Sequence, residues 1–207
     1  MMQKTLSKAI SFEGNALHTG EVVKVDLIPS AENTGIVFIR TDLENAEVPA
    51  LAKYVNRTDR QTILQNGNAS VGTVEHLMAS LYALGIDNLR VELNGSEVPI
   101  LDGSAAPLVD LILEAGMEEQ SVEKNFYVLE ETFTFKDEDG SEIMALPSDE
   151  FEVSALIDYG SSVLGPQHAH LDKMVNFRDD IASARTFSFL RELEPLLDAG
   201  LIKGGDL

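Results

Sequence analysis

Residues 73–85 read TVEHLMASLYALG and carry the strongest structural signal in the chain. Apolar residues recur along this stretch at the spacing of one helix face, which predicts an amphipathic helix. Thr73 can cap the start of the helix, and Gly85 can adopt the left-handed conformation that ends many helices. The apolar face would comprise Val74, Leu77, Met78, Leu81 and Leu84.

The segments before this helix have the pattern of β-strands. Apolar and polar residues alternate over 5–12 and again over 22–28, and Asn15 and Gly20 bound the turn between them. This pattern predicts a hairpin-like start. Residues 35–40 form a short apolar run suited to a buried strand, and the polar section that follows, 42–70, is interpreted as an irregular insertion.

A strand and a second helix are predicted after the first helix. Residues 88–93 alternate as a strand, Ser104 is a candidate N-cap, and Gly116 marks the end of the helix. One face of this second helix would hold Leu108, Leu111, Ile112 and Ala115.

A domain boundary is predicted near residue 122. The composition turns polar over 118–124, and new strand patterns follow at 126–135 and 151–157. With the predicted strands and helices, these changes predict an α+β protein with two domains, 1–122 and 123–207.

The end of the sequence predicts short helices and an unfinished element. Residues 180–184 and 192–199 have helical patterns, and 186–190 is an apolar run. Residues 201–207 begin a strand and a turn with no following segment to pair with, so we expect the second domain to be truncated.

Composition excludes several classes of function. The 207 residues include no cysteine, which excludes disulfides, thiolate metal ligands and a cysteine nucleophile. With 35 acidic and 15 basic residues the formal charge is -20, which disfavours nucleic acid as a partner. No stretch is apolar enough to span a membrane, and the N-terminus lacks a signal-peptide core, so the expected location is the cytoplasm. No phosphate-binding glycine loop or serine-hydrolase elbow occurs.

Glu75 and His76 are the sharpest candidates for chemistry. They lie side by side in the first turn of the predicted helix, off its apolar face. In a zinc hydrolase, a neutral histidine binds the metal while a nearby carboxylate takes a proton from the attacking water. The alternative is structural: Glu75 is a favourable acid near the positive helix terminus, and His76 is an ordinary surface or packing residue.

The remaining histidines are open to two interpretations. His168 and His170 would share one face of a strand and could bind a metal together, but a polar loop after Gly165 is the preferred interpretation. His18 lies in a turn, where it could serve either the turn or a functional site. Asp102 precedes the second helix and can shape that turn.

Five segments match one known family in order along the chain. Together they resemble the UDP-3-O-acyl-N-acetylglucosamine deacetylases, the zinc amidases of lipid A synthesis. The VEHL and DGSAAP motifs are the most specific part of this resemblance, which covers essentially the whole chain. The segments are 14–20 (GNALHTG), 73–81 (TVEHLMASL), 85–88 (GIDN), 99–107 (PILDGSAAP) and 183–187 (SARTF).

The resemblance implies roles for three residues. His76 would be a ligand of Zn²⁺, Glu75 the general base that activates water, and Thr186 the hydroxyl that helps to polarise the oxyanion. The other zinc ligands, a histidine and an aspartate of a His-Lys-x-x-x-Asp motif, would lie beyond residue 207, as would a late histidine acid. Since one imidazole does not hold catalytic zinc, the chain alone is expected to be inactive and free of metal.

The resemblance also implies a substrate and two similar layered domains with the active site between them. The substrate would be UDP-3-O-(3-hydroxyacyl)-N-acetylglucosamine, hydrolysed to acetate and the free amine. Residues 42–70 and 187–207 would belong to two family inserts, while the oligomeric state and a fused dehydratase domain are left open. The residues expected to bind the substrate are His18, Phe187, Leu190, Leu193 and Ile202. For the apolar ones, the alternative is an ordinary role in the core.

Two other functions are compatible with the sequence. One is a catalytically silent module that binds nucleotide sugars without zinc. The other is an unrelated zinc hydrolase that uses His76, His168 and His170, which would lose its zinc when either of the last two is replaced.

Overall fold

The first part of the chain folds around a five-stranded mixed β-sheet. In this computed structural model, residues 1–189, 191–193 and 203 are described. The chain forms two compact units: a first unit of Met1–Glu123 with the described residues from Ala182 onward, and a second unit, Lys124–Ile181. The helices and multiple sheets confirm the predicted α+β class. The predicted domains, 1–122 and 123–207, stay a prediction and differ from these units in the placement of the residues after 181.

The elements of the first unit alternate between strands and two helices. In chain order they are β1 (Met2–Leu6), β2 (Ile10–Asn15), β3 (Val22–Pro29), β4 (Ile36–Arg40), β5 (Ala46–Pro49), a 3-10 turn (Ala52–Tyr54), β6 (Val55–Arg57), β7 (Ile63–Asn66), β8 (Ala69–Val71), α1 (Glu75–Ala83), β9 (Leu89–Leu93), α2 (Ala106–Ala115) and β10 (Met117–Glu123).

The five-stranded sheet has the order β2-β3-β9-β4-β5. Strand β3 is antiparallel to both β2 and β9, whereas β4 runs parallel to β9. Val23, Val25 and Leu27 of β3 are buried while Lys24 is exposed, because side chains alternate between the two faces of a strand. The predicted hairpin-like start is confirmed, with β2 and β3 as its two strands.

The predicted strand over residues 5–12 is wrong as a single element. Strand β1 ends at Leu6 and β2 begins at Ile10, so residues 7–9 redirect the chain. β1 pairs antiparallel with β10, which places Leu6 opposite Met117. Local alternation predicts strands but carries no information about such a distant partner.

Helices α1 and α2 pack against each other and close the core over the sheet. Leu77 and Leu81 of α1 and Leu108 and Ile112 of α2 belong to the same buried cluster as Phe38 of β4. The periodicity that predicts both helices therefore identifies the faces that are buried.

The start of each helix differs from the prediction. The N-caps are Val74 and Ala105, and neither helix has a side-chain hydrogen bond at its cap. Thr73 does not cap α1, because its hydroxyl lies 2.8 Å from Oε1 of Glu97 and donates to it. Ser104 lies one residue before the cap of α2, where its Oγ accepts a hydrogen bond from the Ala106 N–H at 3.2 Å.

The section 42–70 is ordered, so its interpretation as irregular is wrong. Strand β5 extends the five-stranded sheet, and β6, β7 and β8 form a three-stranded sheet. The buried Arg40 anchors this section, since its Nη2 pairs with Asp42 Oδ2 at 2.6 Å and its Nη1 donates to the Ser70 carbonyl at 2.7 Å. Short strands rich in polar residues lack the apolar periodicity on which the prediction relied.

The second unit contains two antiparallel hairpins and exposes many apolar side chains. The predicted strand at 126–135 is confined to its end. The helix predicted at 180–184 is wrong, because the observed helix covers Phe177–Asp180 and stops where the predicted one begins. The predicted helix at 192–199 and the last strand lie largely outside the described residues. Among the described residues, no helix has the length and apolarity needed to cross a membrane. The elements are β11 (Phe133–Lys136), β12 (Glu142–Ala145), β13 (Val153–Ile157), β14 (Gln167–Leu171), a 3-10 turn (Met174–Asn176) and α3 (Phe177–Asp180).

Replacing Phe38 with alanine is expected to lower the free energy of unfolding of the first unit by about 3–5 kcal/mol. The ring is 0% exposed, so its removal leaves a cavity beneath the helices. Phe133→Ala is the matched control, since that ring is 59% exposed in β11. Urea denaturation followed by circular dichroism measures both, and a similar loss for the two variants would contradict the assigned core.

Candidate active site

Glu75 is the first residue of α1, and only one of its two carboxylate oxygens accepts a hydrogen bond from the described residues. Its Oε2 accepts a hydrogen bond from the Thr62 backbone N–H at 3.0 Å, which ties the helix start to the section before β7. Its Oε1 has no hydrogen-bond partner among the described residues, and the side chain is half-buried. A carboxylate fixed at one oxygen and open at the other has the geometry that a general base requires.

His76 is the next residue and presents a half-buried imidazole. Its carbonyl accepts a hydrogen bond from the Ser80 hydroxyl at 2.8 Å, one helical turn later. The part of the chain that the structure describes provides no hydrogen-bond partner for the ring nitrogens of His76. Leu77 and Leu81 of the same helix are buried in the core. The core therefore fixes the first turns of α1, while the His76 ring lies at the edge of the core.

An apolar cavity of about 260 Å³ lies beside the Glu75 side chain. It forms between the start of α1 and the section 50–64, and Glu75 is its one acidic lining residue. The cavity gives the carboxylate an apolar neighbourhood on one side. The lining residues are Ala50, Leu51, Ala52, Val55, Thr62, Leu64, Val74, Glu75 and Met78.

The turn that contains His18 lies against Glu97. The backbone N–H of His18 is 3.1 Å from both Glu97 oxygens, and the Thr19 N–H is 3.1 Å from Oε2. His18 itself is half-buried. The Lys203 N–H donates to the Leu17 carbonyl at 3.1 Å, which places Lys203 beside the same turn.

The segment before α2 holds the residues around Thr186. The Thr186 N–H donates to the Gly103 carbonyl at 2.8 Å, and the Ala105 N–H donates to the Ala182 carbonyl at 2.9 Å. Gly103 has φ 82°, a conformation in which a larger residue would be strained. These two backbone bonds fix the position of Thr186 relative to the start of α2.

Asp102 adds a side-chain contact to the same junction. Its Oδ1 accepts hydrogen bonds from both the amide and the hydroxyl of Ser104, and its Oδ2 lies 3.4 Å from Arg185 Nη2. Burial raises the pKa of Asp102, but the Ser104 hydrogen bonds and the Arg185 charge outweigh it, so the pKa lies below its usual value. Asp102 shapes the turn, as its place in the sequence predicts.

Thr186 and Phe187 are exposed, and the Thr186 hydroxyl has no hydrogen-bond partner among the described residues. The Phe187 and Phe189 rings meet edge to face, with centroids 5.6 Å apart. Leu193 is half-buried, and its N–H donates to the Phe189 carbonyl at 3.1 Å. Leu190 and Ile202 lie outside the described residues, so their predicted contacts with substrate stay predictions.

His168 and His170 lie on β14, so the interpretation of this segment as a loop is wrong. The Gly165-Pro166 turn ends before Gln167, where the chain pairs antiparallel with β13. Both histidines are exposed, and Nδ1 of His170 lies 2.7 Å from the Ser154 hydroxyl.

The described residues do not complete a zinc site. Nowhere in them do three or more His, Cys, Asp or Glu side chains come together as a possible metal cluster. Catalytic zinc normally has three protein ligands and one open position. The donor set around His76 therefore suits one ligand of such a site and not the whole of it.

The fold and the site define an α+β protein in which helix α1 begins with a carboxylate and an imidazole side by side, and the carboxylate lines a cavity. Residues 3–207 match the model of the LpxC family, described as UDP-3-O-acyl N-acetylglycosamine deacetylase. The chain belongs to this family. The resemblance carried by the sequence motifs is thereby confirmed.

Similar proteins carry two kinds of name. The chain is 47% identical over 209 residues to a "Bifunctional enzyme LpxC/FabZ" of Bacteroides thetaiotaomicron, covering 100% of this chain and 45% of that protein. It is 46% identical over 207 residues to a "UDP-3-O-acyl-N-acetylglucosamine deacetylase" of Myxococcus xanthus, covering 99% of this chain and 66% of that protein. A protein of the same name from Chromohalobacter salexigens is 43% identical over 209 residues, with 99% and 69% covered. The chain thus spans about half the length of the bifunctional relatives.

Proposed function

We propose that this chain forms part of a UDP-3-O-acyl-N-acetylglucosamine deacetylase, which hydrolyses the acetamide of its UDP-linked substrate during lipid A synthesis. The observation that carries the proposal is the arrangement of Glu75 and His76 at the start of α1. Glu75 has one oxygen held by the Thr62 N–H and one open, and His76 presents its ring directly beside it. Membership of a deacetylase family connects this pair with amide hydrolysis.

Amide hydrolysis requires a base for water and a donor for the oxygen on which negative charge develops. Glu75 Oε1 would take the proton from the attacking water, while the Thr62 N–H holds the other oxygen in place. The exposed Thr186 hydroxyl would donate to the carbonyl oxygen of the acetamide as it becomes an oxyanion. The proton for the departing amine would come from the late histidine acid that the resemblance implies, so Glu75 is assigned the role of base alone.

Zinc belongs to the proposal as a cofactor of the longer protein. His76 would supply one ligand, and the remaining ligands would come from residues that the chain does not include. Zn²⁺, when bound, would act as a Lewis acid toward the acetamide carbonyl. The cytoplasmic location of the enzyme is likewise proposed.

The substrate would be recognised by residues on two segments of the first unit. His18 lies in the turn held by Glu97, and Phe187 is 54% exposed close after Thr186. The exposed Phe187 ring can stack on a sugar face, and Leu193, with Leu190 and Ile202, would contact the acyl chain.

A silent module that binds nucleotide sugars is the second candidate. It differs from the deacetylase in needing no metal ligand beside His76. Such a module would bind the UDP-sugar through the same surface without turning it over.

The two candidates are separated by an assay of acetate release. We expect zinc-loaded protein that contains this sequence at the family's full length to release acetate from UDP-3-O-(3-hydroxyacyl)-N-acetylglucosamine, and a chelator to abolish it. The 207-residue chain is expected to release none. Titration calorimetry with the same substrate is the control for binding. Tight binding by the zinc-loaded longer protein without acetate release would refute the deacetylase proposal and support the silent module.

A further inference from the structure

Glu97 is a buried acid that the proposed chemistry does not use. Its residue is 2% exposed, and its carboxylate accepts hydrogen bonds from three donors on two separate segments. The backbone N–H groups of His18 and Thr19 come from one side, at 3.1 Å. The Thr73 hydroxyl comes from the other side, at 2.8 Å, and lies farther, at 3.1 Å, from the side-chain oxygen of Gln61.

No cationic side chain of the described residues forms an ion pair with Glu97. Burying a carboxylate without a counter-charge is costly, and neutral donors offset that cost only when they are fixed in place. Two of the three donors are backbone groups of a turn, and the third is a short side chain two residues before Glu75. The acid therefore joins the turn to the approach of α1.

The backbone of Thr73 has an unfavourable conformation, which the hydrogen bond to Glu97 can stabilise. Gly72 is bridged to Glu97, with the Gly72 N–H bonded to the Ser96 carbonyl at 2.9 Å and the Val98 N–H bonded to the Gly72 carbonyl at 3.0 Å. Thr73 then has φ 53°, a conformation that β-branched residues rarely adopt. The chain needs this unfavourable conformation to turn from the bridge into α1, and the bond to Glu97 holds it there.

We propose that Glu97 is a positioning residue, which ties the His18 turn to Thr73 and thereby sets the direction in which Glu75 and His76 enter the site. The inference rests on the proposed function for the roles of those two residues. It concerns the side chain of Glu97 itself, whose hydrogen bonds go to His18, Thr19 and Thr73 and not to Glu75 or His76. The turn and the catalytic pair form one assembly through this single carboxylate.

Glu97→Gln tests the link in the 207-residue chain by NMR. Glutamine has one acceptor oxygen, and its amide N–H groups would face the donors that the carboxylate accepts. We expect the His18 and Thr19 amides to exchange with solvent about tenfold faster. The Glu75 amide and the His76 ring signals should move with them, while β3 and β9 stay unchanged. Glu13→Gln, an exposed acid on β2, is the matched control.

Two substitutions of Thr73 keep the test decisive if Glu97→Gln does not fold. Thr73→Ser retains the hydroxyl and should leave the Glu75 and His76 signals as in the wild type. Thr73→Ala removes the hydroxyl and should shift them. The proposal is overturned if Thr73→Ala, or a folded Glu97→Gln, leaves the Glu75 and His76 signals in place.

A kinetic measurement on zinc-loaded protein that contains this sequence separates this proposal from the proposed function. For Glu97→Gln we expect kcat per bound zinc to fall by about ten- to a hundredfold while KM stays within about twofold. Normalising to bound zinc removes the effect of a smaller folded fraction. An unchanged kcat would overturn the positioning role while the deacetylase stands. A wild-type protein that releases no acetate would overturn the proposed function, and the NMR result would still decide whether Glu97 links the two segments.

Discussion

Replacing Glu75 with glutamine in zinc-loaded protein that contains this sequence is expected to lower acetate release by about two to four powers of ten. An amide cannot accept the proton of the attacking water. The glutamine oxygen can still accept the hydrogen bond from the Thr62 N–H, so the start of α1 should keep its structure. The loss should therefore appear in kcat, with bound zinc and the melting temperature close to those of the wild type.

Glu114→Gln is the matched control for this experiment. Glu114 is an exposed acid on helix α2, so the substitution changes the same charge at a position outside the site. We expect its acetate release to equal that of the wild type. Full activity of the Glu75→Gln variant would remove Glu75 from the mechanism.

Replacing His76 with alanine is expected to abolish both zinc binding and acetate release in the same protein. A site built from three ligands that loses one of them retains little affinity for the metal at neutral pH. Alanine is a good helix former, and the His76 ring lies at the edge of the core, so α1 should still form. Unchanged circular dichroism would show that the loss comes from the missing imidazole.

His170→Ala provides the comparison that separates the competing metal sites. His170 is exposed on β14 and contacts the Ser154 hydroxyl, so its removal should leave zinc content and turnover unchanged. Loss of zinc in this variant would instead support the hydrolase that uses His76, His168 and His170.

Much of the first unit follows from local sequence patterns. Helices α1 and α2 can be predicted from the sequence because each buries one continuous face. Gly85 follows the end of α1 with φ 73°, as predicted. Strands β3 and β9 are readable because their alternation matches a sheet buried on one face. The pairing of β1 with β10 is not readable, since it joins residues that are far apart in sequence.

Thr73 shows why a local rule can fail at a functional site. A threonine before an apolar periodic segment is a typical N-cap, which assumes that its hydroxyl bonds to its own helix. Here the hydroxyl bonds to Glu97, a partner 24 residues later. That partner is itself invisible in the sequence, because nothing in the pattern around Glu97 distinguishes a buried acid from an exposed one.

The candidate site also contains residues that the sequence indicates and residues that only the fold brings to it. The adjacency of Glu75 and His76 is a sequence property, so the residues alone are enough to suggest the pair. The groups that position it, the Thr62 N–H and the Glu97 carboxylate, come from distant segments and need the fold. The segment of His168 and His170 is predicted wrongly because a local signal dominates. The Gly-Pro turn just before it indicates a loop, whereas the chain forms a strand there.

The most direct test of the separate roles of Glu75 and His76 is a measurement of bound zinc in two variants. Both are made in zinc-loaded protein that contains this sequence and are dialysed side by side. Glu75→Gln is predicted to retain as much zinc as the wild type, and His76→Ala is predicted to retain none. Equal zinc in the two variants, at the wild-type level, would contradict the assignment of the imidazole as a zinc ligand, and loss of zinc from Glu75→Gln would contradict the assignment of the carboxylate as a base outside the metal's ligand set.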